Sequence, residues 1–495
     1  MFRTGNSKKL LSLASMNSLP IRLLLASLWL GVTNFSGAAQ PETAALTLKD
    51  VVESVRNQYP PQLAALIEQD IANGRVRSAL GAFDWNLNAG STSNLAGFYD
   101  GRSAYANLEK PLSFWGGSVY GGYRLSSGLL PDYNKDRTGV DGEAVLGFKV
   151  PLLRDGTIDR RRASLWQAEI DQQLAEPFIL RQYLDFVRAS TISYYTWLAA
   201  GKRVQFAEEL LRIAQKRDSA IAEQVLRGAS ARIVQVDNRR LVVSREIAVV
   251  QATRRFEAAA IELSLFFRDK QSSEPIVAKG DRLPVDFPSH ATRDSSQIAE
   301  DIDRAWVRRP EVRRIELTIQ KTNIDRDLAK NNLMPSLELG INARQAAGGT
   351  RPKDKIGREE VEAKVEFKLP LERREAKGRV DVAQAQISRL QNERQFARDR
   401  IAADVRDSYS ALIAARDTLR QTRINVELAQ QLEDAENEKL EHGATDLLAL
   451  QIREQATFDA RVLEVDALLE HFRAEANYRA AIAADAPEPI KRDPK

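Results

Sequence analysis

The sequence predicts an α+β membrane protein, with long antiparallel helical hairpins joined to the strands of a transmembrane β-barrel, the whole built as two tandem repeats. Three observations carry that expectation. Short elements recur in one order in both halves of the chain. One strand segment puts its charges on a single face. Two helical patterns run for roughly seventy residues, about 100 Å at 1.5 Å per residue, taller than a single globular core.

The recurrences are specific in their order. "RGAS" (227–230) and "HGAT" (442–445) lie 215 positions apart, and the same offset aligns "YYTWLAAG" (194–201) with "YSALIAAR" (409–416). A slightly larger offset aligns "FKVPLLRDG" (148–156) with "FKLPLERRE" (367–375), and "NQYPPQLAAL" (57–66) answers "VRRPEVRRIEL" (307–317). Matches kept in sequence across two halves indicate duplication.

Residues 1–39 read as a signal peptide. Arg3, Lys8, Lys9 and Arg22 supply positive charge, "IRLLLASLWLGV" (21–32) the apolar run, and "SGAA" small residues for cleavage. The run falls short of the ~20 residues of a membrane-spanning helix, which disfavours the alternative of an uncleaved anchor. Those four basic groups account for the formal net charge of +4, so the remaining chain is near neutral and nothing in its charge points to nucleic acid.

The first repeat spans 40–267: a helix at roughly 47–81, a β region at 84–150, a helix at 158–226 that Pro177 kinks or interrupts, a turn near 228 and a return helix at 231–267. A linker, 268–296, follows. The second repeat, 297–482, has a helix at 297–331, a β region at 336–369, a long helix at 375–441, a turn near 443 and a return helix at 445–481, then a tail, 483–495.

In "EEVEAKVEFKLP", Val361, Ala363, Val365, Phe367 and Leu369 alternate with Glu360, Glu362, Lys364, Glu366 and Lys368. Leu337, Leu339, Ile341 and Ala343 alternate likewise in "PSLELGINAR". Period two segregates the two sets onto opposite faces. A hairpin laid over a protein core gives the same pattern. Export, and charges confined to one face, favour a barrel with lipid outside and water inside. The first β region is longer by roughly thirty residues, about one hairpin, and "KPLSFWGG" reads as its turn. Apolar stripes at Ile424, Leu428, Leu432, Ala435 and at Val462, Val465, Leu469, Phe472, Ala476 are narrow, as in an antiparallel coiled coil or the wall of a tube.

The absence of cysteine excludes a disulfide, a thiolate nucleophile, a cysteine metal site and a lipid anchor on cysteine. No phosphate loop, HExxH or GxSxG occurs, so no enzyme and no cofactor is expected. His442 beside Glu441 and His471 on the return helix lack a second histidine at ligand spacing and read as surface or core residues.

Taken together, the duplicated order, the "PxL/V" elements (Pro61-Gln62-Leu63 and Pro310-Glu311-Val312), the strand-ending "PLLRDG" and "LPLERRE" and the glycine turns resemble the TolC-like outer membrane factor family over about 45–482. The resemblance implies a homotrimer whose three chains share one β-barrel in the outer membrane of a Gram-negative bacterium and continue as a periplasmic α-barrel. It implies an exit duct of a tripartite efflux pump or type I secretion system. The implied partners are a periplasmic adaptor, an inner-membrane transporter reached through it, and outer membrane lipid, with no nucleic acid. A family barrel takes four strands per chain, so the extra segment 103–126 is expected first as an enlarged extracellular portion of the strands, otherwise as two further barrel strands.

By the same resemblance the adaptor-docking tips are Arg227, Gly228, Ala229 and Ser230, and His442, Gly443, Ala444 and Thr445. Glycine reverses the chain there, and Ser230 and Thr445 are placed to cap the returning helices. The family's acidic ring falls on Asp237, next to Asn238, in the first repeat. The second repeat has Ala449 and Ile452 there, with Asp446 closer to the turn. Asp237, Asn238 and Asp446 are thus the candidate periplasmic gate, against the plainer reading of Asp237 as a solvated helix carboxylate. Arg227, Arg232, Arg239 and Arg240 are placed to pair with acids of a neighbouring helix. The rival to a duct is a periplasmic coiled-coil scaffold with a small β module, which has no need of charge segregation on its strands.

Overall fold

The computed structural model describes residues 44–130, 137–289, 297–348 and 359–487. The expected signal peptide (1–39), the end of the expected linker (290–296) and most of the tail (488–495) lie outside the described residues. Helices α1 (Leu48–Gln58) and α2 (Pro60–Leu80) lead into strands β1 (Asn86–Ser93), β2 (Arg102–Pro111), β3 (Ser118–Ser127) and β4 (Gly142–Pro151). The long α3 (Arg160–Leu226) and its return, α4 (Arg232–Ser264), follow. The order then recurs: α5 (Ile298–Arg308), α6 (Pro310–Asn331), β5 (Ser336–Ala347), β6 (Glu359–Lys368), α7 (Arg374–Glu441) and α8 (Leu447–Ala481).

The first helix of each half is two helices, not one. Tyr59 and Arg309 are extended, and Pro60 and Pro310 occupy the first helical position after them. Proline lacks the N–H that would continue the previous helix and forces its predecessor out of the α region. The equivalent prolines are therefore Pro60 and Pro310, which sets the first "PxL" one residue earlier than the sequence match, and Gln62 and Val312 are the buried residues two positions on. Pro177 does not interrupt α3, which runs unbroken for 67 residues. One lost hydrogen bond is small against the packing of so long a helix on α2, α4, α6 and α8.

The six strands form one antiparallel meander, β1-β2-β3-β4-β5-β6, ending in two unpaired edges, β1 and β6. The extra segment is thus two full strands of the sheet, β2 and β3, and not an enlarged end of existing ones. Register decides this: β2 pairs with β1 from Asn86↔Glu109 to Ser93↔Arg102, and β3 pairs with β4 from Ser118↔Lys149 to Arg124↔Glu143.

The helices pack in an equally open order. α2 and α4 lie against α3, α3 lies against α6 and α8, and these lie against α7. The core sits around α3 and α8, where Trp197 and Leu198 are fully buried with Leu263 of α4. Tyr195 stacks on Phe472 with ring centroids 4.1 Å apart, and Phe287 stacks on Phe472 from the segment after α4. That segment, the described part of the expected linker, is tied down: Leu46 N–H donates to the Arg282 carbonyl at 2.9 Å. A second core joins α5, α7 and the end of α8 around Val405 and Tyr478. Of the two sequence stripes, Val465, Leu469, Phe472 and Ala476 are buried, whereas Ile424, Leu428 and Leu432 are exposed.

Candidate functional site

Pairing register assigns every strand residue to a face, because directly opposed residues point the same way. One face carries Leu87 and Ala89 of β1, Ala104, Ala106 and Leu108 of β2, and Val119, Tyr123 and Leu125 of β3. It continues through Leu146, Phe148 and Val150 of β4 to Leu339, Ile341 and Ala343 of β5 and Val361, Ala363, Val365 and Phe367 of β6. Its charged side chains, Arg102, Lys110 and Glu359, sit at strand ends or beside a loop. The other face holds Asn88, Asn107, Glu109, Arg124, Glu143, Lys149, Glu338, Arg344, Glu360, Glu362, Lys364 and Glu366. There Arg124 pairs with Glu143, and Arg344 with Glu362 at 2.9 Å.

The apolar face is bare. Leu87 is 71% exposed, Leu146 64%, Val365 64% and Phe367 61%. A water-soluble antiparallel sheet lays its apolar face on a core and turns its polar face to water. Here no core among the described residues covers the apolar face. The strands are 8 to 12 residues long, bracketing the ~9–11 residues of a tilted membrane strand. Exposed aromatics lie beyond both ends: Trp85, Phe114 and Trp115 at the helical side, Phe98 near the opposite turn. Such residues favour the membrane–water boundary. Among the described residues no helix is long and apolar enough to cross a membrane, which does not bear on strands.

The two tips share one geometry. Gly228 and Gly443 have φ of +72° and +68°. Gly228 N–H donates to the Val225 carbonyl at 3.0 Å and Ala229 N–H to Gln224 at 2.8 Å. Gly443 to Leu440 at 3.1 Å and Ala444 to Lys439 at 2.9 Å repeat the pattern. This double bond closes a helix with glycine in the left-handed region. Arg227, Ala229, His442 and Ala444 are exposed, and so are Leu226, Ile233, Leu448 and Ile452 around them.

The caps differ from expectation. Neither Ser230 nor Thr445 caps a return helix. Ala231 stands at the α4 N-cap with no side-chain bond, and Asp446 caps α8, its carboxylate accepting from Ala449 N–H at 2.8 Å. Thr445 lies one position too early and instead donates its hydroxyl to Glu436 Oε1 at 2.6 Å. That bond is the first cause holding the Glu436 carboxyl below its usual 4.5. Asp237 is exposed and paired with Arg240 at 3.4 Å. Asn238 is fully buried: its amide donates to Asp218 Oδ1 at 3.0 Å in the α3–α4 seam. Arg227 pairs with Glu223 of its own helix at 3.2 Å. His442 is exposed at the end of α7, and His471 is buried edge-on to Phe472. Above the tips Arg217 of α3 forks onto Glu454 of α8, Arg203 pairs with Asp466, and Arg461 reaches Glu209 at 3.3 Å, joining the two hairpins.

The joint between strands and helices was not foreseen. Asp159 caps α3 by accepting from Arg161 N–H at 2.7 Å and Arg162 N–H at 3.1 Å, and its other oxygen pairs with buried Arg162 at 2.7 Å. Arg162 also donates to the carbonyls of Gly156 at 3.1 Å and Asp155 at 2.6 Å. The "DRRR" run after "PLLRDG" was its only sequence signal.

No curated protein matches the chain by sequence. Residues 302–484 match the model of the family described as Outer membrane efflux protein. The match spans the C-terminal part of the chain, well under half of its length. Solved structures share the fold of this chain at low identity. The open state of the Neisseria gonorrhoeae MtrE outer membrane channel is 15% identical, over 88% of this chain and 88% of that chain, with a TM-score of 0.63. The Campylobacter jejuni CmeC outer membrane channel is 13% identical over 95% of each chain, with a TM-score of 0.61. The Vibrio cholerae outer membrane protein VceC is 14% identical over 88% of this chain and 95% of that chain, with a TM-score of 0.60. The chain thus has the helical and β parts of these channels.

Proposed function

We propose that the protein is the exit duct of a tripartite efflux pump or type I secretion system, set in the outer membrane of a Gram-negative bacterium and reaching into the periplasm. The carrying observation is the bare apolar face of the sheet with charges turned to the other side. Lipid covers the first and water fills the second. A scaffold module in the periplasm would leave that apolar band in water.

Three copies close the barrel. Six strands with free edges at β1 and β6 are too few to enclose a channel. The helical order is open in the same sense, from α2 and α4 to α7. An interface that joins one edge to the opposite edge of the next copy is head-to-tail and closes into a ring. Exposed stripes suit that joint: Val236, Val243 and Val250 recur every seven residues on α4, with Ile424, Leu428 and Leu432 on α7.

The tips dock a periplasmic adaptor, which links the duct to an inner-membrane transporter. Residues 227–230 and 442–445 present backbone turns ringed by exposed Leu226, Ile233, Leu448 and Ile452. Asp237 supplies one carboxylate per chain to a ring at the periplasmic gate. The duct conducts passively and performs no chemistry. The test is fractionation: the protein stays with outer membranes through alkaline extraction, and recovery in the soluble periplasm overturns the reading.

A further inference from the structure

Among the described residues the first half of the chain supplies four strands and the second half two. We propose that the surplus hairpin β2–β3 is barrel wall, so that three chains close an eighteen-stranded barrel whose exit passes bulky hydrated cargo. The inference rests on the exit-duct reading above.

Three observations place the hairpin in the wall. The first is height. Residues opposed across the sheet form unbroken rows: Leu87, Leu108, Gly121, Leu146, Ala343 and Val361 form one, and Asn88, Asn107, Gly122, Val145, Arg344 and Glu360 form the next. β2 and β3 therefore cover the same span as β1 and β4, and do not rise beyond them. The second is chemistry. Their side chains in the first row and its neighbours are Ala104, Ala106, Leu108, Val119, Tyr123 and Leu125, continuing the apolar band without a charge at mid-strand.

The third is the anchor. The turn Leu112–Gly117 lies at the helical end of the strands and is latched onto the α3 N-terminus, where Arg161 Nη2 donates to the Gly116 carbonyl at 3.1 Å. Gly116 has φ +64°, and a Cβ there would lie 2.2 Å from the Asp155 carbonyl and 3.1 Å from Arg162 and Asp159. The buried Asp159–Arg162 pair that starts the long helix thus also seats this turn.

The polar side of the hairpin is kept low. Tyr105 lies against Gly90 and Tyr120 against Gly147, so close that a Cβ at those glycines would sit 3.0 and 2.5 Å from the rings. Rings laid along the wall leave the lumen open. Strands ~4.8 Å apart and tilted by ~40° give an eighteen-stranded barrel a backbone diameter of about 36 Å, against about 24 Å for twelve. That is a ratio of about 1.5, within the range where barrels hold an aqueous channel. Size selection then belongs to the helical part of the duct, not to its mouth.

The chain has no cysteine, so single cysteines report on single sites. A fluorophore on Ala106→Cys, Leu125→Cys, Asn107→Cys or the control Val365→Cys is read in phosphatidylcholine vesicles with brominated acyl chains. Quenching at 106 and 125 is expected to equal that at 365 and to exceed that at 107 several-fold. Quenching at 365 without quenching at 106 and 125 puts the hairpin outside the membrane and overturns the inference while the duct reading stands. No quenching at 365 either overturns the duct reading itself. End-on electron microscopy of the full-length trimer then counts the wall: a barrel about 1.5-fold wider than twelve strands give is expected, and a twelve-strand width overturns the proposal.

Discussion

Single residues decide the tips. Gly228 and Gly443 have open space where a Cβ would stand, so a side chain there costs only the strain of positive φ, about 1–2 kcal/mol. Gly228→Asp and Gly443→Asp should leave the amount of assembled protein nearly normal on immunoblots of membranes, while drug or protein export falls sharply. Normal export at normal level would leave the turns as hairpin geometry alone. The neighbouring Thr445–Glu436 bond carries a pH sign. Because the Glu436 pKa is lowered, its stabilisation is complete above 4.5 and is lost as the pH falls through the folded-state value. Hydrogen exchange of the second turn, corrected for intrinsic rate, should be flat above that point and rise below it, and Glu436→Gln should abolish the step. Gly116 contrasts with the tips: Gly116→Ala drives a methyl into the Asp155 carbonyl, so heat stability of the assembled protein should drop by more than the tip variants lower it.

At the scale of elements, period two was legible and handedness of burial was not. "EEVEAKVEFK" announced two faces, but only the structure shows that nothing among the described residues covers Val361, Val365 and Phe367. The long helices could be read from their stripes, yet Val465 to Ala476 is buried while Ile424 to Leu432 is not, because periodicity marks an apolar stripe without saying which neighbour covers it. Caps were misread by one position: Ser230 and Thr445 look like caps in sequence, and the backbone bonds that close each helix push the cap to Ala231 and Asp446. Repeat matching found the extra β segment but put taller strands ahead of more strands, since a length difference does not distinguish the two. Two measurements probe the elements. Leu146→Lys puts a charge at mid-strand on the apolar face and should cost about 2–4 kcal/mol, lowering assembled protein, while Asn88→Lys on the polar face should not. Trp197→Ala empties the core of α3 and should cost about 3–5 kcal/mol by denaturant titration.

At the scale of the molecule, the single chain is open at both sides. Among the described residues, sheet and helices both run out at an open edge: β1 and β6 in the sheet, α2, α4 and α7 in the helical array. A single chain therefore leaves backbone donors and acceptors unpaired and apolar stripes in water, two costs that a ring of copies removes together. The most direct test is the mass of the protein extracted in mild detergent from alkali-washed outer membranes, measured by light scattering with the detergent subtracted. A single species of three chains is expected; a stable monomer in that extract would contradict the shared barrel.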